Sequence, residues 1–302
     1  MNPLAVGWLA WEWRPEVIGV ITLLAGLYAF GWWRLRRRGR RIASTGRLVA
    51  YMTGIAALIV ALVSPIDALQ PLLFSMHMVQ HELLMMVAAP LIMLGNPLPI
   101  LAWGLPAPLR RALGVLLGRD GAIRWAATRL LTPWVAWAIY VVTLWGWHTP
   151  AAYNAALRYD WIHDLEHMTF FWSAILFWWP ITGAAPLFRG TVGYGARLAL
   201  MAASLAQNEI LGVSIALARE PIYEHYLSVP RLWGLSVMAD QALGGGIMWI
   251  AGGMMYVVAI IALIGRFLEW DERRAERESS RKLRRMELSA HALGQTSGGG
   301  RS

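Results

Sequence analysis

The sequence predicts an all-α, polytopic membrane helix bundle with seven transmembrane helices. Hydrophobic residues make up 57% of the 302-residue chain, and the mean hydropathy is +0.46. Charged residues make up only 15%, against about 25% in soluble domains. Long apolar runs alternate with arginine-rich connections, which is the pattern of a chain that crosses a bilayer repeatedly.

Seven apolar segments account for the predicted spans, since a helix needs about 20 mostly apolar residues to cross the hydrocarbon. They are residues 17–33, 48–66, 72–94, 133–147, 161–181, 197–218 and 237–264. The fourth is short, and tryptophans at its ends can extend it as interfacial anchors. Residues 97–108 are apolar but interrupted by prolines, which predicts an interfacial or re-entrant segment.

The arginines predict the orientation. They crowd the first and third connections and the tail, whereas residues 64–70 carry no basic residue. The positive-inside rule then places the N-terminus outside and the C-terminus in the cytoplasm. We expect residues 1–265 to form a single transmembrane domain and residues 266–302 a charged cytoplasmic tail. The Gly/Ser-rich stretch 295–302 predicts disorder at the end of that tail.

Composition also excludes several functions. The chain has no cysteine, so disulfides, thiolate metal sites and dithiol redox chemistry are ruled out. The net charge of +9 comes from arginines between apolar runs, so the expected partner is the lipid bilayer and not nucleic acid. Residues 1–15 lack the basic start of a signal peptide, and we expect the first span to be retained.

The histidines are the main candidate functional residues. His77 and His81 lie in the third predicted span, His163 and His167 in the fifth, and His148 directly follows the fourth. Residues four apart share one helix face, with Cβ atoms about 5–6 Å apart. Each His-X-X-X-His pair can therefore offer two imidazoles to one ion.

The predicted topology brings both pairs to a similar depth. Pro71 suits the first helical position of the third span, and Asp160 suits the N-cap of the fifth. At 1.5 Å per residue, the first pair lies roughly 9 and 15 Å below its helix start, and the second roughly 4 and 10 Å. The sequence therefore predicts a metal site in the outer half of the membrane.

Other polar residues agree with that depth. Asp240 begins the last span and is a sixth candidate ligand, because ionisable residues at membrane depth are costly and functional by default. For Asp240 and for Glu209 in the sixth span, a packing role stays open. His225 and His291 are predicted to be surface residues.

Methionines near the histidines bear on the choice of metal. A thioether with imidazole suits Cu(I), whereas imidazole with carboxylate also suits zinc or iron. These residues leave copper, zinc and iron open, and they leave open whether the thioethers are ligands or packing groups. The nearby methionines are Met76, Met78, Met168, Met238 and Met248.

One motif favours a different function. Residues 163–167 read His-Asp-Leu-Glu-His, the H-x-x-E-H pattern of inverted zinc peptidases, in which the glutamate is the general base. The alternative hypothesis is therefore a membrane metalloenzyme, a hydrolase or an oxidoreductase, with Glu166 or Asp240 as base. The pair at 77 and 81 is not H-E-x-x-H, because Glu82 lies outside it.

Several motifs together resemble a known family. They are Ser75-Met76-His77-Met78-Val79-Gln80-His81, Ala88-Ala89-Pro90-Leu91, Gly95-Asn96-Pro97, Trp147-His148, His163-Asp164-Leu165-Glu166-His167, Phe177-Trp178-Trp179-Pro180 and Ala239-Asp240-Gln241. This set is similar to the multi-spanning CtaG family of bacterial cytochrome c oxidase (caa-type) assembly factors. The resemblance implies a non-enzymatic role in oxidase maturation by copper handling, with oxidase subunits as partners and the bacterial cell membrane as location.

Overall fold

The computed structural model describes residues 11–118, 121–188 and 190–298, and within these ranges the chain is helical with no strand, which confirms the all-α prediction. The first part contains α1 (Pro15–Arg37), α2 (Thr45–Val63), α3 (Pro65–Leu69), α4 (Phe74–Glu82), α5 (Ala89–Leu94) and α6 (Pro97–Gly104). The middle part contains α7 (Ala107–Leu116), α8 (Ala122–Leu130), α9 (Pro133–Trp147), α10 (Pro150–Arg158) and α11 (Asp160–Thr182). The last part contains α12 (Tyr194–Ala216), α13 (His225–Ser228), α14 (Val237–Gly246) and α15 (Gly253–Gly298).

Two π-helical turns join helices that the sequence predicts as continuous. Leu83–Ala88 connects α4 to α5, and Ile247–Gly252 connects α14 to α15. Such turns are rare and frequently lie at functional sites. The first of them begins directly after the His77–His81 pair.

Helix starts follow local chemistry. Proline occupies the first turn of α1, α3, α6, α9 and α10, where its missing N–H costs nothing. Ser44, Ser64 and Ser236 cap α2, α3 and α14 by accepting a backbone N–H. These signals fix where apolar runs become helices.

Within residues 11–118, 121–188 and 190–298, five helical segments are long and apolar enough to cross a membrane. They are Pro15–Arg37, Thr45–Leu69, Phe74–Leu94, Tyr194–Ala216 and Val237–Lys282. Ile123–Leu130 and Pro133–Trp147, bent by 75° at their junction, together make a sixth if they count as one span. Histidine, glutamate and tryptophan lower the hydropathy of α11, which has the length of a span without the composition of one. The seven-span count and the orientation stay predictions.

The chain divides into two compact units, Met1–Val257 and Val258–Ser302, and the division falls inside α15. The sequence-based boundary at residue 265 instead follows the loss of apolar character. In the second unit the helix is exposed over residues 268–282 and carries i,i+4 ion pairs such as Arg274 with Glu278. The helix reaches Gly298, whereas composition predicts disorder from Gln295; residues 299–302 lie outside the described residues.

Small residues bring α12 and α14 into backbone contact. A Cβ atom at Gly245 would lie 2.5 Å from the backbone N of Ala216, and one at Gly212 would lie 2.8 Å from the backbone N of Trp249. Close approach through small residues is a common way to pack membrane helices. This contact fixes α14, whose first turn holds the start of α4, as described below.

We predict that Gly245→Ala lowers the free energy of unfolding by about 2 kcal/mol, because the added methyl group overpacks a helix contact. Thermal unfolding of the purified protein in detergent measures the change. Gly246→Ala is the matched control: a Cβ there meets no atom within 4 Å, and alanine is the better helix former. Equal effects of the two substitutions would contradict this account of the contact.

Candidate metal centre

The two histidine pairs face each other inside the helix bundle. The ring centroids of His77 and His163 are 5.3 Å apart, and those of His81 and His167 are 5.6 Å apart. Within the pairs the separations are 4.3 Å on α4 and 4.0 Å on α11. All four side chains are buried. The four imidazoles predicted from the two His-X-X-X-His motifs therefore form a single cluster.

The buried face of α11 explains why both of its histidines point inward. Its buried positions include 163, 166, 167, 170, 174, 177, 178 and 181, which recur at the three- and four-residue spacing of one helix face. Glu166 lies on that same face and is fully buried. The face therefore brings a carboxylate to the cluster together with the imidazoles.

The donor atoms are close enough to share an ion. One group, His77, His81 and His167, and a second, His77, His163 and Glu166, each hold potential ligand atoms within 4.8 Å of one another. The Nε2 atom of His77 lies 2.8 Å from Nε2 of His81 and 3.5 Å from Oε2 of Glu166. His77 belongs to both groups, so it lies at the centre of the cluster.

Many polar atoms here have no hydrogen-bond partner. A buried polar group without a partner costs about 1–3 kcal/mol, and such groups are uncommon in native proteins. A metal ion bound by these atoms would satisfy them, so the donor set fits a metal. The unpartnered atoms are Nδ1 of His77 and His81, Nε2 of His148, His163 and His167, and both carboxylate oxygens of Glu166.

His148 adds a fifth imidazole from the end of α9. Its ring centroid is 6.2 Å from that of His81. Its Nδ1 lies 2.7 Å from the carbonyl oxygen of Leu144, a bond that orients the ring and leaves Nε2 as the lone-pair donor. Burial lowers the pKa of His148 to about 4, so the imidazole is neutral and able to bind a metal at physiological pH.

An aromatic wall closes one side of the cluster. The Tyr153 ring lies 4.9 Å from that of His77, and its hydroxyl is 3.0 Å from the hydroxyl of Tyr226. Tyr223 donates to the backbone carbonyl of His148 at 3.1 Å. Burial raises the pKa of Tyr153 and of Tyr226 well above its usual value, so these phenols stay neutral. The wall excludes water and supports the histidines with little added charge.

Comparison with known proteins identifies the family. The sequence pattern of the family described as cytochrome c oxidase caa3 assembly factor (Caa3_CtaG) matches residues 26–269. The chain belongs to this family. The resemblance stated from the motifs is therefore confirmed.

This CtaG-family chain also matches uncharacterized mycobacterial proteins. It is 31% identical to one from Mycobacterium bovis and to one from Mycobacterium tuberculosis over 276 residues, and 29% identical to one from Mycobacterium leprae over 279 residues. The alignments cover 88% of this chain but only 41% of each relative. The chain thus spans less than half the length of these curated relatives. No solved structure matches it.

Asp240, the sixth predicted ligand of the CtaG-family chain, is engaged elsewhere. Its carboxylate accepts hydrogen bonds from the backbone N–H groups of Phe74 and Ser75 at 2.9 and 3.1 Å, and from the Ser75 hydroxyl at 2.6 Å. Arg231 donates to it at 3.1 Å. The carboxylate therefore caps the first turn of α4, and the structure does not bring it into the histidine cluster. Its position in the sequence does not predict these partners.

The two helices that carry the histidine pairs do not begin as the sequence predicts. The helix of His77 begins at Phe74 and not at Pro71, because Pro71 lies in a turn whose carbonyl faces Nε2 of His225 at 2.9 Å. The His225 imidazole, predicted to be a surface residue, is half-buried and makes this one backbone contact. Asp160 is the first residue of α11 and Tyr159 is its N-cap. The His291 side chain lies outside the described residues.

The structure also locates Glu209 and two of the candidate methionines, Met168 and Met78. A Cβ atom at Gly253 would clash with Oε1 of Glu209, so Glu209 packs against the helix of the last predicted span. Met168 is 57% exposed and points away from the cluster, whereas Met78 is fully buried near Gly244. Packing against neighbouring helices accounts for Glu209 and Met78.

Two contacts of the site were missed by the sequence reasoning. Glu166 was considered only as a general base, although its spacing of three from His163 signals a shared face. The guanidinium of Arg14 binds both carboxylate oxygens of Asp164 at 2.9 and 3.0 Å, which ties the segment before α1 to the residue beside His163. No local pattern signals a contact between residues 150 positions apart.

We predict that Asp240→Asn lowers the free energy of unfolding by about 2 kcal/mol, because the amide replaces a charged cap that also pairs with Arg231. Asp160→Asn, in the exposed first turn of α11, should change it by no more than about 0.5 kcal/mol. Thermal unfolding in detergent compares the two. An Asp240→Asn protein as stable as wild type would refute the capping role.

Proposed function

We propose that this protein is a membrane assembly factor for cytochrome c oxidase that holds a copper ion for delivery, using His77, His81, His163 and His167. Membership of the family supports the assembly role. The observation that carries the copper proposal is the convergence of unpartnered, buried ligand atoms from both histidine pairs. Copper is here a cargo, to be taken up and released.

The chemistry of the cluster suits a late first-row metal. Neutral imidazoles are good ligands for copper, zinc and iron, and without cysteine no thiolate competes. His148 and Glu166 are close enough to complete or exchange the ligand set. An excess of ligands over one ion's needs is useful in a carrier, because a ligand can be replaced without exposing a bare ion.

The proposed topology puts the cargo where an oxidase could receive it. With seven spans and the arginine-rich connections in the cytoplasm, the start of α4, the end of α9 and the start of α11 lie toward the outer face of the bacterial cell membrane. The cluster would then face an oxidase subunit laterally within the bilayer. Oxidase subunits are the proposed recipients, with no stable complex required.

We predict that detergent-purified wild-type protein binds copper and that His77→Ala combined with His163→Ala abolishes binding, because one substitution falls on each helix of the cluster. Metal analysis after copper loading measures the stoichiometry. His291→Ala, in the second unit (Val258–Ser302), is the control for the loss of a histidine outside the cluster. Full copper occupancy in a folded double variant would overturn the proposed ligand set.

Loss of function in cells tests the assembly role separately. A strain carrying only the double variant should show reduced spectroscopic and enzymatic signals of the assembled oxidase, with the variant present in the membrane at wild-type level. Normal oxidase in that strain would remove the link between the cluster and assembly. The His291→Ala strain again provides the baseline.

A second candidate function is a membrane metalloenzyme, hydrolase or oxidoreductase. The observation that favours it is the Glu166 carboxylate, buried beside His77 with both oxygens unpartnered, as a general base would be. An enzyme needs an open coordination position for water or substrate, whereas a carrier is served by a closed set of protein ligands.

Glu166→Gln distinguishes the two. For a carrier we expect the variant to keep its copper and at least half of wild-type oxidase assembly, because four imidazoles remain. X-ray absorption of the loaded wild type should then fit protein ligands without a bound water. A water ligand, together with complete loss of assembly in a Glu166→Gln protein that keeps its metal, would favour the enzyme.

A further inference from the structure

A tight contact between α1 and α6 positions a group of arginines that belongs to neither of the two histidine helices. A Cβ atom at Gly31 would clash with the carbonyl oxygen of Ile100, and one at Gly104 with that of Leu27. The two glycines therefore let the helices meet backbone to backbone. The register of Trp103, next to Gly104, is fixed by this contact.

Three arginines converge on Trp103. The guanidinium carbons of Arg38 and Arg110 each lie 4.6 Å from the centroid of its ring. Arg34 donates to its backbone carbonyl at 3.2 Å. Arg38 comes from the end of α1 and Arg110 from α7, so the indole gathers positive charge from two separate elements. Each cation–π contact contributes about 0.5–1 kcal/mol at an exposed site.

The segments that carry these arginines contain no acidic residue. No Asp or Glu occurs between Glu16 and Asp67, or between Glu82 and Asp120. Among the residues that the structure describes, no carboxylate forms an ion pair with any of the three arginines. Like charges held close together repel one another, and an anion beside them would relieve that repulsion.

One atom of the group points to what that ligand is. Nη1 of Arg110 is buried and has no hydrogen-bond partner among the residues that the structure describes, which leaves a charged donor without an acceptor. Guanidinium groups bind phosphate oxygens in a planar, bidentate fashion. A phosphate group would supply Arg110 with an acceptor, and Arg38, which contacts the same indole ring, is a second guanidinium near it.

The surroundings favour a lipid phosphate over a free one. Leu109, Val115 and Leu116 of α7 are all exposed, and Arg110 and Arg111 stand among them. A short helix with apolar and basic faces lies in the plane of a membrane interface. Phe30 and Trp33 at the end of α1 are exposed as well, so apolar surface for acyl chains borders the arginines.

We infer that Arg38, Arg110 and Trp103, with Arg34 behind them, form a specific binding site for the phosphate of an anionic phospholipid. The site lies on the basic side of the protein and is separate from the histidine cluster. It anchors α7 to α1 through the headgroup of one lipid. Neither the family assignment nor the copper proposal requires it.

Native mass spectrometry tests the site on the full chain. The protein is released from nanodiscs made of phosphatidylcholine alone or mixed with phosphatidylglycerol. We expect wild type to keep one phosphatidylglycerol, and Arg38→Gln combined with Arg110→Gln to bind it about tenfold more weakly. The matched control, Arg111→Gln combined with Arg129→Gln, removes two charges from α7 and α8 and should retain the lipid.

Three results would overturn the inference. They are equal retention by the double variant and its control, equal retention of phosphatidylcholine, and displacement of the lipid by inorganic phosphate at low concentration, which would mark a free-anion site. A melting transition confirms that each variant is folded. If the double variant lacks one, Arg38→Gln and Arg110→Gln are measured singly, and each must bind more weakly than Arg111→Gln.

Discussion

The main constraint on the centre of this helix bundle is the burial of potential ligand atoms that have no hydrogen-bond partner in the described part of the protein. Two helices, α4 and α11, each turn a pair of imidazoles inward, and Glu166 adds a carboxylate between them. Inside a membrane protein, water is scarce and an unpaired polar group is expensive. The surrounding structure keeps these groups in place in spite of that cost, and a bound ion of the kind proposed above would offset it.

Several features hold the cluster in register without entering it. The Asp240 cap fixes the first turn of α4 from the other end of the chain. Tyr223 holds the backbone of His148, and the carbonyl of Leu144 orients its ring. The Arg14–Asp164 pair fastens the segment before α1 beside His163. Apart from the local Leu144 contact, these are polar contacts between distant parts of the sequence, and each holds a residue of the cluster or a neighbour of one.

The sequence predicted what local spacing determines. Two histidines four residues apart must share a helix face, so both pairs and their meeting followed from periodicity and hydropathy. The role of Asp240 could not be predicted, because its partners lie 165 and 166 positions away and burial depth alone does not separate a cap from a ligand. The same holds for His225, whose partner is the backbone carbonyl of Pro71. Glu166 could be predicted, since its spacing of three from His163 places it on the same helix face, although the peptidase motif by itself indicates only a catalytic role.

The π-helical turn after Glu82 sets a rotational relation within the third predicted span. Each residue of an α-helix advances the chain by about 100°, and a π turn accommodates one residue more than an α turn. The histidine face of α4 is therefore offset by roughly a third of a turn from the face that α5 presents below it. An insertion or deletion of a single residue between Leu83 and Ala88 would swing the imidazoles out of alignment while every ligand was still present. The number of residues in this π-helical turn therefore determines the geometry of the site as much as the histidines do.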